Sequence, residues 1–353
     1  MKLLHITATH LKPDGGVPVV LKELVTEQNK INNFESRVIS VVASVEEMHS
    51  PYFEYVPRKK FKSYLIEFNP DIVILHSFYY LEYNWVIRQL ESRQVKYYIE
   101  PHGSFGKTAM KKSWIKKGIA NNTILKKQIK FATGFIFLNE AEKEDSVYRT
   151  SNDMVIPNGI SKNDTAIERN EISDRTIYFI GRYGINHKGL DYLFDALDLL
   201  ELEGYACRVM MWGKGNKHSE KYILHRIRKY RTVKVEMNNS IYGDKKNTQL
   251  EQLGPMILTS RYEGFPMTIL EAWKYGNPCI VTPGTNMSRE IKDNNLGWVT
   301  DVNPNNIARC IKSAIVDYSL QRDYYINNCK HYVFENYNWK NIANISFDKL
   351  SRI

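Results

Sequence analysis

Two successions of short apolar runs, each alternating with longer amphipathic stretches, constrain this 353-residue chain more than any other feature. The first succession reads KLLHIT, SRVISVVAS, DIVILHS, KYYIEPHG, TGFIFLN and DMVIPNG, rich in Val, Ile and Tyr and bounded by turn residues. Helix-like stretches lie between these runs, for example Pro18 to Lys30 and Tyr83 to Ser92. A polar tract over residues 161–176, SKNDTAIERNEISDRT, interrupts the pattern and suits a linker. The pattern restarts with TIYFIGR, CRVMMWGKG, PMILTSR and NPCIVTPG. Strands and helices in alternation predict parallel sheets covered on both faces, here two α/β halves joined near residue 165. The length agrees, being too great for one small core and enough for two domains of roughly 150–200 residues.

Composition narrows the function classes. With 43% hydrophobic and 25% charged residues the chain reads as an ordinary globular protein. The four cysteines, Cys207, Cys279, Cys310 and Cys329, form no C-x-x-C pair, which predicts a reducing compartment and no disulfide framework. The nine histidines form no H-E-x-x-H pattern, so no catalytic metal site is expected. The N-terminal MKLLHITATHL is too polar for a secretory segment, and no apolar run approaches the ~18 residues needed to span a bilayer. A cytoplasmic location is the expectation.

The formal net charge of +10 is unevenly distributed. From Pro101 to Asn139 there is no Asp or Glu, while eight lysines occur: Lys107, Lys111, Lys112, Lys116, Lys117, Lys126, Lys127 and Lys130. The basicity therefore belongs to one segment, interleaved with apolar residues such as Trp114. Anionic lipid, nucleic acid or a plainly solvated face would each suit it.

Ligands of open parallel sheets bind beyond the carboxyl ends of the strands, so the residues that follow each strand carry the functional information. After the first strand, Gly15 and Gly16 precede Pro18, placed as the first residue of a helix; such a loop is either a tight turn or a phosphate cradle. His102 and Gly103 follow the run KYYIEP, as a core pair or as groups lining a site. Arg182 follows TIYFIG, with Lys188 six residues on; two fixed cations there suit a diphosphate or are solvated. In YEGFPMTILEAWKYGNPCIVTPG, Glu263 falls in a loop and Glu271 in a helix that Pro266 opens and Gly276 ends. Three readings of that pair compete: a capping box with Thr268 as N-cap, an acid/base pair, or two grips on a hydroxyl-rich ligand.

Read in order, Gly15-Gly16, PHG, VIPNGI, IGRYGINHKGLDYLFDAL, SRYEGFPMTILEAWKYGNPCIVT and SREIKDNNLGWV resemble the retaining glycosyltransferases of family 4 over about residues 2–340. The resemblance implies the GT-B fold: two Rossmann-like domains with parallel sheets facing a central cleft. It divides the chain into an acceptor domain (1–165), a nucleotide-sugar domain (166–335) and a last helix (336–353) that returns to the first domain. It implies transfer of a sugar from a nucleoside-diphosphate donor, by default a UDP-sugar, to a glycan hydroxyl with retention and without metal or other cofactor. Glu263 would hold sugar hydroxyls, the Gly264, Phe265, Pro266 and Met267 loop would offer N–H groups, and Glu271 would take the ribose. Arg182 and Lys188 would neutralise the diphosphate, Gly15 and Gly16 would bring backbone to it, and His102 would face the sugar. Neither glutamate is then a nucleophile, since a covalent route needs two carboxyls about 5 Å apart across the sugar bond. Lys214 departs from the family pattern, which often has an acid between two glycines there.

Relatives that build surface polysaccharides carry a similar basic stretch. The resemblance thus implies a peripheral contact of Lys107, Lys111, Lys112, Trp114, Lys116 and Lys117 with the inner membrane face, a lipid-linked glycan acceptor and no nucleic-acid partner. The competing reading is a basic lipid- or nucleic-acid-binding protein on the same scaffold without transferase activity.

Overall fold

The computed structural model describes residues 1–9, 16–42, 50–111, 125–162 and 175–353, and at Lys111 the backbone only. The chain forms two compact units, one of residues 1–161 together with 337–353, the other of residues 162–336.

In the first unit the strands are β1 (Lys2–Thr7), β2 (Glu35–Ser40), β3 (Phe53–Tyr55), β4 (Ile72–His76), β5 (Lys96–Glu100), β6 (Gly134–Phe137) and β7 (Met154–Val155). They form one sheet in the order β3-β2-β1-β4-β5-β6-β7, with every pairing parallel. The second unit repeats the pattern with β8 (Thr176–Ile180), β9 (Arg208–Trp212), β10 (Lys234–Asn238), β11 (Met256–Leu258), β12 (Cys279–Val281) and β13 (Gly297–Val299). Their order is β10-β9-β8-β11-β12-β13, again all parallel.

Burial explains why these segments are strands. Helices cover both faces of each sheet, so the central strands carry continuous apolar runs rather than alternation. Ile177, Tyr178 and Phe179 in β8 are fully buried, as are Met256, Ile257 and Leu258 in β11. The sequence did not announce β3, β10 and β13. FEY and KVEMN are largely exposed or half-buried edge segments without an apolar run, and GWV has only three residues.

Each sheet reverses its order once, between β1 and β4 in the first unit and between β8 and β11 in the second. At such a switch point the two neighbouring loops leave in opposite directions and open a crevice at the carboxyl ends. The loops that follow β8 and β11 carry Arg182, Lys188 and Glu263; β1 and β4 carry His5 and His76.

The last helix, Trp339–Leu350, belongs to the first unit and packs on the helix Gly16–Gln28. Asn338 caps it, accepting from the Asn341 N–H. Trp339, Ile342, Ala343, Ser346 and Leu350 are buried along one face, and Gln28 donates to Ser346 Oγ at 3.0 Å. The first helix starts at Gly16, two residues before Pro18, so Pro18 stands inside its first turn rather than opening it. Ile342 is fully buried, so Ile342→Ala is expected to cost about 2–5 kcal/mol. Urea unfolding followed by circular dichroism checks this; a loss below about 0.5 kcal/mol would contradict the packing described.

Candidate functional site

The groups brought together at the second switch point come from three loops. After β8 the chain runs through Arg182, Tyr183 and Gly184 to Lys188 and Gly189, which begins the helix Leu190–Leu202. Gly189 has φ 62°, and a Cβ there would stand 2.0 Å from the Thr259 carbonyl oxygen. Only glycine fits both constraints. Thr259 donates from Oγ1 to the Gly189 carbonyl at 2.9 Å, so the loops after β8 and β11 are tied at that point.

Arg261 ties them again. Its guanidinium grips Asp191 through two nitrogens at 2.7 and 2.6 Å, donates to the Asn186 carbonyl at 2.7 Å and lies 3.9 Å from the Tyr192 ring centre. A planar fork on a carboxylate fixes direction as well as distance. The third loop, after β12, contributes Asn286 at φ 60°, whose amide donates to the Glu263 carbonyl at 2.6 Å and the Gly264 carbonyl at 3.3 Å.

Within this frame Glu263 receives Lys188 Nζ at 2.7 Å and the Ser260 hydroxyl at 2.5 Å, both on Oε1. The Lys188 and Glu263 side chains are each 10% exposed. The second oxygen, Oε2, lies 3.9 Å from His187 Nε2, and the His187 ring packs on Tyr262. Burial pushes the His187 imidazole below its ordinary value; Glu263 opposes this, and Lys188 and Arg182 add to it. Arg182 is exposed and, among the described residues, pairs with no carboxylate.

Pro266 caps the helix Met267–Lys274 without a side-chain hydrogen bond, and the first turn holds no acid. Its leading N–H groups thus receive no cap from the Pro266 side chain and stand at the positive end of the helix dipole. The capping-box reading fails. The helix starts one residue before Thr268, whose hydroxyl is buried without a partner, and Glu271 instead holds Lys246 at 2.6 Å. The two glutamates thus sit on separate lysines.

In the first unit Gly16 begins a helix, and among the described residues no atom stands within 4 Å of where its Cβ would be. Gly15 lies outside the described residues. His102 has φ 48°, a left-handed conformation uncommon for a residue with a Cβ. Glu142 holds the turn, accepting from the Gly103 N–H at 2.5 Å and the Leu138 N–H at 2.7 Å. His102 Nε2 lies 3.3 Å from His76 Nδ1 and 3.3 Å from Glu100 Oε1, and His76 Nδ1 lies 3.4 Å from Glu100 Oε2. Behind them His76 Nε2 is 2.8 Å from His5 Nδ1, and His5 Nε2 is 3.2 Å from Gln28 Oε1.

Burial disfavours charge throughout this chain of rings. It pushes His102 down to about 4, and His5 to about 4 against the opposing hydrogen bond from Gln28. It drives His76 well below the ordinary histidine value, with His5 and His102 adding to the effect. It raises Glu100 well above the carboxylate range, with Glu142 adding to that. Sequence reasoning found His102 but missed His5, His76 and Glu100, whose only signal is a polar residue inside or ending an apolar run. It also missed Ser260, Lys246, Arg261 and Asn286, which hold the glutamates and their loops.

Of the lysine-rich segment, Lys107, Lys126, Lys127 and Lys130 are exposed. Lys111 ends the short helix Lys107–Lys111, and Lys112, Trp114, Lys116 and Lys117 lie outside the described residues. Lys214 is exposed. No helix among the described residues is long and apolar enough to cross a membrane.

His5 yields a pH prediction. A histidine buried neutral leaves the unfolded state to take the proton first. Its contribution is therefore whole above pH 6.5 and falls by about 1.4 kcal/mol per pH unit towards pH 4. The stability difference between wild type and His5→Gln is expected to shrink in wild type's disfavour from pH 7.5 to 5. Denaturant midpoints at both values test it, and a difference independent of pH would refute it.

Known proteins resemble this chain in sequence family and in fold. The family model described as Glycosyl transferases group 1 matches residues 162–342. The uncharacterized glycosyltransferase MJ1607 of Methanocaldococcus jannaschii is 30% identical over 171 residues, covering 48% of this chain and 43% of that protein. The chain thus matches less than half of that relative's length. Among solved structures, Anabaena Alr3699/HepE with UDP-glucose superposes at TM-score 0.73 with 16% identity, over 100% of both chains. The lipopolysaccharide outer core galactosyltransferase WaaB reaches 0.70 with 18% identity, also over 100% of both. The sucrose-phosphate synthase of Thermosynechococcus elongatus reaches 0.73 with 16% identity, over 100% of this chain and 98% of that one. At such identities these likenesses speak for the fold, which is GT-B.

Proposed function

The chain belongs to the group 1 glycosyl transferases, and from that premise we propose that it moves a sugar from a UDP-sugar to a hydroxyl of a lipid-linked glycan, with retention. The observation that carries this reading is Glu263 held by Lys188 and Ser260 beside an exposed Arg182 and an uncapped helix N-terminus. Such an arrangement suits a ligand that is anionic at one end and rich in hydroxyls at the other.

The chemistry follows from where charge develops. As the bond between sugar and phosphate breaks, the departing diphosphate gains negative charge. Arg182, Lys188 and the N–H groups of the Gly264 to Met267 loop, including the first turn of the helix, stabilise it. The donor's ring hydroxyls hydrogen-bond to Glu263, and its ribose hydroxyls to Glu271. The acceptor hydroxyl attacks from the face the phosphate is leaving, and a phosphate oxygen takes its proton. Configuration is thereby kept without a covalent intermediate, and the glutamates serve as positioning groups. The UDP assignment draws support from HepE, solved with UDP and UDP-glucose, and the acceptor class from WaaB.

Arg182→Ala is the sharpest test, because an exposed, unpaired cation costs little stability when removed, within about 0.5 kcal/mol. Turnover of a panel of nucleotide sugars should fall at least about 30-fold in kcat/KM with the melting temperature unchanged. Glu263→Gln should lose about 100-fold or more, and nuclear magnetic resonance of the product's anomeric centre should show the donor's configuration. Unaltered turnover in both variants would remove the site assignment, and an inverted product the retention.

The exposed lysines Lys107, Lys126, Lys127 and Lys130 support a membrane-surface role, each contributing about 1 kcal/mol near an anionic surface. Co-sedimentation at low salt should favour phosphatidylserine-containing vesicles over neutral ones. Equal binding to both would leave the acceptor free of the membrane.

A further inference from the structure

We propose that His76, Glu100 and His102 form a binding site for a single divalent transition-metal ion of the zinc class, with His5 and Gln28 orienting the ligands behind it. The three side chains come from the ends of β4 and β5 and from the turn that follows β5, so the sheet itself sets their separations.

Hydrogen-bond logic fixes the direction of the lone pairs. Ser36 Oγ donates to Gln28 Oε1 at 2.7 Å, while Gln28 Nε2 donates to Ser346 Oγ at 3.0 Å. Ser346 Oγ in turn donates to the Ala343 carbonyl at 2.7 Å, so the Gln28 amide has one orientation. Gln28 Oε1 is then the acceptor for His5 Nε2, which must carry its ring's proton. His5 Nδ1 is left with a lone pair and accepts from His76 Nε2. His76 Nδ1 therefore carries no proton, and its lone pair faces His102 Nε2 and Glu100.

That is the state in which an imidazole binds a metal. Ligating histidines donate the other ring N–H to a fixed acceptor, which sets the tautomer and the ring direction. Here the acceptor is His5 Nδ1, itself fixed by Gln28.

The separations fit as well. His76 Nδ1 and His102 Nε2 stand 3.3 Å apart, the edge of a tetrahedral ion with arms of about 2.0–2.1 Å. Glu100 turns Oε1 to His102 at 3.3 Å and Oε2 to His76 at 3.4 Å, and with one atom taken from each residue the three ligand atoms lie within 4.8 Å of one another. Two imidazoles and a carboxylate match zinc-class ions rather than Mg²⁺ or Ca²⁺, which prefer oxygen. Access comes from the His102 side, which is 17% exposed against 1% for His76. The fourth position opens there. The turn is built to hold this ligand: His102 keeps its left-handed conformation because Glu142 clamps the Gly103 N–H.

Occupancy has a consequence for the ring. A metal on Nε2 uses the lone pair that His102 would offer another ligand, so ion and ligand compete for it. This consequence rests on the transferase reading given above, whereas the binding itself does not.

The test uses the full chain, stripped with chelator and titrated with Zn²⁺ alone by calorimetry, with Co²⁺ as a visible-absorbance probe of a tetrahedral nitrogen/oxygen set. One ion per chain is expected. Affinity should fall at least about 10-fold in His102→Gln and in Glu100→Gln, and stay unchanged in the exposed control His218→Ala. His102 is part-exposed, and circular dichroism of that variant separates lost binding from lost fold; should it unfold, Glu100→Gln gives the same readout. The proposal is overturned by no binding at one equivalent, by equal affinity in folded His102→Gln or Glu100→Gln, or by a loss confined to His218→Ala. Loss of turnover in Arg182→Ala or Glu263→Gln leaves this result untouched, so the two readings stand or fall separately.

Discussion

A lysine and a glutamate held side by side with about a tenth of each exposed are expensive to bring out of water, and the second unit is arranged around meeting that cost. Stripping two such ions of water costs several kcal/mol each, which attraction recovers only when every remaining lone pair and proton is used. Lys188 and Glu263 meet the condition in part: Ser260 joins Lys188 on Oε1, while His187 stands 3.9 Å from Oε2, beyond hydrogen-bond distance. The pair therefore contributes placement more than stability. Arg261 on Asp191, Thr259 on Gly189 and Asn286 on the Gly264 loop hold the two strands' loops at the spacing the pair requires. A glycine at 189 is forced by the same demand, since a Cβ would enter the Thr259 carbonyl.

The central strands were legible because burial on both faces writes itself as uninterrupted apolar sequence. TIYFIGR and DIVILHS contain β8 and β4, whereas KVEMN and FEY form strands whose exposure leaves no such trace. Glu263, Arg182 and Lys188 were named from the sequence because loops after strands are where a parallel sheet keeps its chemistry, and Glu271 because it stands in the helix that follows such a loop. Their partners were not. Lys246 reaches Glu271 from a helix 25 residues upstream, and Asn286 reaches the Gly264 loop from beyond the next strand. Thr268 satisfied a capping-box pattern that the backbone declined by starting the helix at Met267.

His5, His76 and Glu100 illustrate a different blindness. Each stands in or ends an apolar run, where a lone polar residue reads as noise. The sheet register makes them neighbours: Thr7 pairs with His76 across β1 and β4, and His76 with Glu100 across β4 and β5. Residues far apart in sequence thus meet towards the carboxyl ends of the sheet's three central strands. No contiguous motif could report that, because strand pairing and not chain distance brings His5 and His76 to Glu100.

The two switch points share a topology and differ in the sign of what they lack. At the second, Arg182, Lys188 and Lys246 stand against Glu263 and Glu271, leaving one positive charge exposed beside a helix N-terminus. An anion would complete that set. At the first, His5, His76 and Glu100 are buried and His102 is partly so, where charge is disfavoured, and fixed hydrogen bonds turn the lone pair of His76 Nδ1 towards His102 and Glu100. A proton or a metal ion completes that one. One backbone plan can host opposite chemistries because the plan fixes only where loops part and strands end. The ionisable residues placed there, and the water they give up, decide which ligand fits.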